Sequence, residues 1–171
     1  ENGLIGIGQL VNGSGNALIN NGVISADVVG GAITLLGLTN GITNNGTIQA
    51  ANGGMIKLQS NLIGTASGQL LAGAGSLISQ EGVTISGIIN TSGSGNLTPT
   101  NSASNYLSGA TLNGNLDLAG AQGLERVVGN LVLNGVVNVN SASRINFEGT
   151  QTLSGNGSIV FGSAASNILG I

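Results

Sequence analysis

The sequence contains no cysteine, no histidine and no tryptophan in its 171 residues. Disulfide bonds, thiolate chemistry and imidazole bases are therefore excluded, and so are the usual ligands of zinc and iron. Proline occurs once, at Pro99, and aromatic residues make up only 2% of the chain. We accordingly expect no catalytic residue, no cofactor and no metal site.

Charge is also scarce, at 5% of the residues against about 25% in an average soluble protein. Only three residues are Lys or Arg, so no basic face can neutralise phosphate groups. We expect neither a nucleic-acid partner nor attraction to anionic lipid. Disorder is not indicated, because disordered chains combine low hydrophobicity with high charge, and this one is 40% hydrophobic with a net charge of -3.

The chain is instead rich in glycine, with 32 residues, and it contains a repeated unit. The clearest copy is NGVVNV at 134–139, which reads as a polar residue, Gly, any residue, then aliphatic, polar and apolar residues. Further copies begin at Asn2, Asn21, Asn45, Ser67, Ser86, Asn113 and Asn156. Their spacing averages about 22 residues, a period that is typical of solenoid proteins.

Each repeat contains about three short apolar patches, separated by Gly, Asn and Ser. Within a patch the apolar residues alternate with polar ones, which indicates strands with one face buried. Stacking the repeats places Ile24, Ile48 and Leu70 in one column along the axis. We therefore predict an all-β fold, a three-faced parallel β-solenoid of about eight rungs spaced about 4.8 Å apart, as a single domain spanning residues 1–171.

The columns also predict individual positions. Ile48, Leu116 and Val137 should be buried, and Phe147 and Phe161 have the parity of inward-facing residues. The 27-residue interval between Ser86 and Asn113 predicts a loop and a seam between two sub-arrays at 95–105.

A second protrusion is expected at 119–129, where Glu125 and Arg126 interrupt the uncharged sequence. Together with Tyr106, beside the seam, these two residues are the candidates for a surface contact. A polysaccharide-cleaving site would need clustered carboxylates with an Arg or Lys on one face. Asp117 and Arg144 could lie on neighbouring rungs, but they occupy different positions in their repeats. Isolated solubilising charges are the favoured interpretation.

Three segments, LNGNLDL at 112–118, LVLNGVVNV at 131–139 and GTQTLSGNGSIVF at 149–161, resemble the repeat arrays of filamentous haemagglutinin-like and autotransporter-like bacterial surface adhesins. The resemblance implies a right-handed parallel β-helix, the hand that parallel crossovers favour in any case. It also implies export to the bacterial cell surface, in association with the outer membrane. No functional residue of that family can be matched to a position here.

We expect the chain to be a structural or adhesive segment of a longer secreted fibre or stalk, with no transmembrane segment. Its partners would be further β-solenoid rungs, of the same chain or of other copies, stacked end to end into a filament, together with glycans or a host or neighbouring cell surface. The alternative is a carbohydrate-binding or carbohydrate-active β-helix, similar to polysaccharide lyases and hydrolases.

Overall fold

Short strands follow one another along the chain and return to the same face about every 22 residues, as the pairing of Val137 with Ile159 illustrates. The computed structural model describes residues 3–6, 15–164 and 166–171. In this part of the chain the strands are, in order, β1 (Gly3–Gly6), β2 (Leu18–Asn20), β3 (Val23–Ala26), β4 (Ala32–Leu36), β5 (Ile42–Asn44), β6 (Thr47–Ala50), β7 (Met55–Gln59), β8 (Leu62–Gly64), β9 (Gln69–Ala72), β10 (Leu77–Gln80), β11 (Thr84–Thr91), β12 (Asn96–Pro99), β13 (Tyr106–Asn113), β14 (Asn115–Asp117), β15 (Leu124–Leu133), β16 (Val136–Val139), β17 (Arg144–Phe147), β18 (Leu153–Ser154), β19 (Ser158–Phe161) and β20 (Ile168–Gly170).

These strands form three parallel faces. The first face stacks β1, β4, β7, β10, β12, β14, β16 and β19. The second face stacks β2, β5 and β8, then the first halves of β11, β13 and β15, and finally β17 and β20. The third face stacks β3, β6 and β9, then the second halves of β11, β13 and β15, and finally β18. The eight stacked strands of the first face span about seven turns. This stacking confirms the predicted three-faced parallel β-solenoid.

The long strands β11, β13 and β15 turn from the second face to the third without a break. The ladder shifts register at this corner, next to Gly87 and Gly109. Both residues have positive φ, 92° and 58°, as does Gly129 of β15 at 66°. Glycine adopts this backbone conformation without steric cost, so the strand can bend sharply and continue pairing.

The apolar residues form the predicted columns inside the solenoid. Ile24 pairs in register with Ile48, and Ile48 with Leu70. Ile48, Leu116 and Val137 are completely buried, as expected. Phe147 packs against the core, as its parity predicts. Phe161 also has inward parity but is 45% exposed, because β19 belongs to the last described turn and no described strand covers it.

The repeated unit does not stay on one face. The copies that begin at Asn21, Asn45, Ser67 and Ser86 precede strands of the third face, whereas those at Asn2, Asn113, Asn134 and Asn156 precede or enter strands of the first face. The 27-residue interval is therefore one full turn plus the step from the third face to the first. No inserted loop is needed to explain it.

Part of the stretch at 95–105, which was expected to loop out, belongs to the ladder instead. Asn96–Pro99 forms β12, which pairs with β10 on one side and β14 on the other, and Leu97 is completely buried. The protrusion expected at 119–129 is reduced to one 3-10 turn at Ala119–Ala121, since β15 begins at Leu124. That turn is the only helical element in the described residues.

Asparagine side chains stabilise two corners by bonding from turn to turn. Asn20 Nδ2 donates to Asn44 Oδ1 over 2.7 Å at the corner between the second and third faces. At the next corner, Asn113 Nδ2 donates to Asn90 Oδ1 over 2.8 Å, and Asn134 Nδ2 donates to Asn113 Oδ1 over 2.9 Å. Asn residues at these corners, among them Asn113 and Asn134 of the repeat, therefore have a structural role, because their side chains continue the hydrogen bonding between turns where the strands end.

Replacing Val137 with Asp should lower the free energy of unfolding by several kcal/mol, because an unpaired carboxylate would enter an apolar column. The matched control is Val136→Asp, one residue earlier on the same strand, whose side chain is not buried. Urea unfolding of both variants measures the difference. Equal stability of the two variants would contradict the assigned parity of β16.

Glycine at the corners is required by the close approach of neighbouring turns. A Cβ on Gly46 would lie 2.1 Å from the carbonyl oxygen of Gly22, whereas a Cβ on Gly22 would meet no described atom within 4 Å. Gly46→Ala should therefore destabilise the solenoid by about 1–3 kcal/mol, the usual cost of overpacking, and Gly22→Ala by much less. Thermal unfolding followed by circular dichroism measures both, and the prediction is wrong if the two variants melt together.

Candidate functional site

Tyr106, Arg126 and Glu148 form a cluster on the outer surface of the second face. Tyr106 begins β13, Arg126 lies in β15, and Glu148 directly follows β17. Tyr106 pairs in register with Arg126, so the two side chains come from neighbouring turns. The three side chains, called here the Tyr106–Arg126–Glu148 cluster, unite an aromatic ring, a cation and an anion on an otherwise nearly uncharged molecule.

The guanidinium group of Arg126 is at the centre of this cluster. Its Cζ lies 4.5 Å from the centroid of the Tyr106 ring, a cation–π contact. Its Nε donates to Glu148 Oε1, and its Nη1 donates to the carbonyl oxygen of Ala103 over 2.8 Å. The hydrogen bond that Arg126 donates to Glu148 raises the pKa of Arg126, and partial desolvation opposes this shift. The guanidinium is charged at every accessible pH.

Water screens this ion pair, since the side chains of Arg126 and Glu148 are 28% and 32% exposed. The cluster is therefore open to a ligand, and its contribution to the stability of the fold is small. An aromatic ring beside an Arg–carboxylate pair can stack against an apolar face and exchange hydrogen bonds with hydroxyl groups. The carboxylate of this cluster is paired with Arg126 and is therefore not free to act as a general base.

Glu125, the third residue expected at the surface, is not there. It is completely buried, because its neighbour Arg126 faces outward and strand alternation turns Glu125 into the core. Burial raises the pKa of Glu125 well above its ordinary value. The sequence-based placement of Glu125 at a surface contact was therefore wrong, whereas Tyr106 and Arg126 are brought together.

The other charged residues considered from the sequence lie apart. Asp117 is in β14 on the first face, where its Oδ1 accepts a hydrogen bond from the amide of Ala119 over 2.9 Å. Arg144 is exposed at the start of β17 on the second face. Hydrolysis of a glycosidic bond usually needs two facing carboxyl groups, and the carboxylate of Glu148 is instead paired with the guanidinium group of Arg126.

A second feature is the open end formed by the last turn. Among the described strands, β18, β19 and β20 pair only with strands of the turn before them. Between them lies an apolar pocket of about 270 Å³, whose lining includes Phe147, Leu153, Ile159 and Leu169. This end surface exposes aliphatic and aromatic side chains together with the strand edges.

Glu148 was missed from the sequence, although it follows Arg126 by 22 residues, which is one average turn of the solenoid. That spacing is the signal that could have found it. The residues described contain no group of three or more Asp, Glu, His or Cys side chains that could hold a metal ion. They also contain no helix that is long and apolar enough to span a membrane.

Replacing Arg126 with Ala should expose the ring of Tyr106 to solvent. Tyr106 is the only tyrosine in a chain without tryptophan, so its fluorescence reports on this cluster alone. We expect stronger quenching by acrylamide in Arg126→Ala and no change in the control Arg144→Ala, because Arg144 lies away from the ring. Unchanged quenching in Arg126→Ala would show that the stacked arrangement does not persist in solution.

No family model, no curated protein and no solved structure matches the chain. The solenoid, the Tyr106–Arg126–Glu148 cluster and the open end of the last turn are therefore the features that bear on function.

Proposed function

We propose that this chain is a structural and adhesive section of an exported bacterial surface fibre, and that it stacks end to end with further parallel β turns. The open end of the last turn is the observation that carries the proposal. Leu169 is 48% exposed although it pairs in register with the fully buried Ile145. A side chain of the inner column is thus left partly in water.

A further parallel turn is the occupant that fits this surface best. The edges of β19 and β20 present backbone donors and acceptors on the side away from the preceding turn, and these groups bind another strand. The apolar pocket between them has the chemistry of the solenoid core, so an incoming turn would extend the existing columns. A globular partner would satisfy the apolar residues but would leave the strand edges unpaired.

The sides of the solenoid support the adhesive part of the proposal. The strands of the third face, from β3 to β18, carry no Asp, Glu, Lys or Arg in the described residues. Their outward residues include Gln49, Asn90 and Thr111, which can exchange many weak hydrogen bonds with the hydroxyl groups of a glycan. The Tyr106–Arg126–Glu148 cluster supplies the one aromatic contact on the neighbouring face.

A structural role also agrees with the distribution of charge better than an enzymatic one. Among the described carboxylates, Glu81, Asp117 and Glu148 accept hydrogen bonds from other side chains or amides. Glu125 is buried, and Asp27 is an isolated exposed charge. The alternative, a carbohydrate-active β-helix, needs a facing pair of carboxyl groups, whereas Asp117 and Glu148 lie on different faces of the solenoid.

End-to-end association can be tested with two matched substitutions. Leu169→Asp places a charge on the open end, and Ile63→Asp places one on the side of the solenoid, at a residue that is 52% exposed. We expect the unmodified chain and Ile63→Asp to form elongated oligomers whose size rises with concentration. Leu169→Asp should remain smaller, because each contact would bury an unpaired carboxylate.

Sedimentation velocity measures the size distribution, and electron microscopy of the same samples shows whether the particles are rods. A monomeric unmodified chain at every concentration would contradict the proposal, and so would equal association of the two variants. Cleavage of a polysaccharide by the purified chain, abolished by Glu148→Gln, would favour the enzymatic alternative instead.

A further inference from the structure

Three polar side chains are buried inside the corner between the first and second faces. Gln80 ends β10, Asn105 precedes β13 and Glu125 lies in β15, so they belong to three consecutive turns. All three are completely buried. Elsewhere this core is built mainly of Leu, Ile, Val and Ala, and a polar cluster at its centre requires a separate explanation.

The amide groups of Gln80 and Asn105 use all of their N–H donors on the backbone. Gln80 Nε2 donates to the carbonyl oxygens of Val83 and Tyr106, over 2.8 and 3.2 Å. Asn105 Nδ2 donates to the carbonyl oxygens of Thr100 and Leu124, over 2.7 and 3.2 Å. Neither side chain has a donor left for the carboxyl group of Glu125.

Three oxygen atoms of the cluster lack a hydrogen-bond partner: Gln80 Oε1 and both carboxyl oxygens of Glu125. Asn105 Oδ1 already accepts from the amide of Gly82 over 2.7 Å. An ionised Glu125 would therefore add two acceptors to a site that already has one acceptor too many. A protonated Glu125 instead supplies one O–H donor, and Gln80 Oε1 beside it is the acceptor that lacks one.

Among the described residues, no other charged side chain is buried in the solenoid to stabilise the ionised form of Glu125. The side chains that face it from the neighbouring strands are Gln80, Asn105 and Ile145, and none of them titrates. The nearest cation, Arg126, points to the opposite side of the sheet and pairs with Glu148. The backbone amide of Arg126 donates to the carbonyl oxygen of Asn105 over 3.1 Å, as part of the ladder.

We propose that Glu125 is a neutral carboxylic acid in the folded solenoid, that its O–H donates to Gln80 Oε1, and that loss of this proton loosens the turns between β10 and β15. The hydrogen bond would join two turns that are separated by a third. The device makes the solenoid most stable in acid and progressively less stable as the pH rises.

The direction of the pH dependence follows from proton linkage. Burial raises the pKa of Glu125 in the folded state, and nearby Gln80 and the backbone amides oppose the shift without cancelling it. Below the unfolded pKa of about 4.3 both states carry the proton, and its stabilising effect is fully present. Above that pH the folded state binds more protons than the unfolded state, so stability falls until the pH passes the folded pKa.

The test compares the unmodified chain with Glu125→Gln across a pH range, by urea unfolding. The amide of Gln has nearly the same shape, donates a hydrogen bond and does not titrate. Between about pH 4.3 and the folded pKa, we expect the unfolding equilibrium constant of the unmodified chain to rise about tenfold per pH unit relative to that of Glu125→Gln. Glu148→Gln, which changes a partly exposed carboxylate on the outer surface, should show the same rise of about tenfold per pH unit as the unmodified chain.

Parallel pH profiles of the unmodified chain and Glu125→Gln would overturn the proposal. Stabilisation of the unmodified chain at neutral pH by calcium chloride, absent from Glu125→Gln, would also overturn it, because Glu125 would then be an ionised cation ligand. Infrared spectroscopy of the unmodified chain provides a readout that does not depend on a variant. A carbonyl band of a protonated carboxylic acid that persists at neutral pH is expected, and its absence refutes the assignment.

Discussion

The parallel ladder between successive turns is the constraint on which the rest of this structure depends. Neighbouring strands lie about 4.8 Å apart, so every residue is in contact with its counterparts one turn before and one turn after. Inside the solenoid this favours columns of similar aliphatic side chains, such as Ile24, Ile48 and Leu70. At the corners it leaves no room for a Cβ where backbones meet, and Gly46 lies directly against Gly22.

The same stacking organises the polar groups. Asparagine amides continue the ladder through side chains at the corners, where Asn134 binds Asn113 and Asn113 binds Asn90. On the second face, stacking brings Arg126 between Tyr106 and Glu148, residues that lie 20 and 22 positions away in the sequence. A solenoid therefore creates a surface site by placing compatible residues one turn apart, and the proposed adhesive role uses this property.

The buried cluster of Gln80, Asn105 and Glu125 departs from the apolar rule of the core. A buried polar group is costly unless it is hydrogen-bonded, and the proposed protonation of Glu125 lowers the number of unpartnered oxygen atoms in the cluster from three to one. We interpret the cluster as fixing the register of the turns, in addition to the proposed dependence of stability on pH. Asn105 satisfies its amide with carbonyl groups of 100 and 124, and a slip of the turns would leave these groups unpaired.

The sequence by itself determined the solenoid, its three faces and most of its core. Period-two alternation is a local property of each strand, and the repeat of about 22 residues is visible without any contact. The same alternation also predicts that Glu125, two residues before the inward Val127, turns into the core, although its charge suggested a surface position. Only the tertiary structure decided which face each copy of the repeat occupies, because the length of a turn varies. Ile24 and its partner Ile48 are 24 positions apart, whereas Leu70 and its partner Ile89 are 19 positions apart. With a turn of variable length, spacing cannot distinguish a long loop from a change of face, and hydrogen bonds between turns are what settle the register.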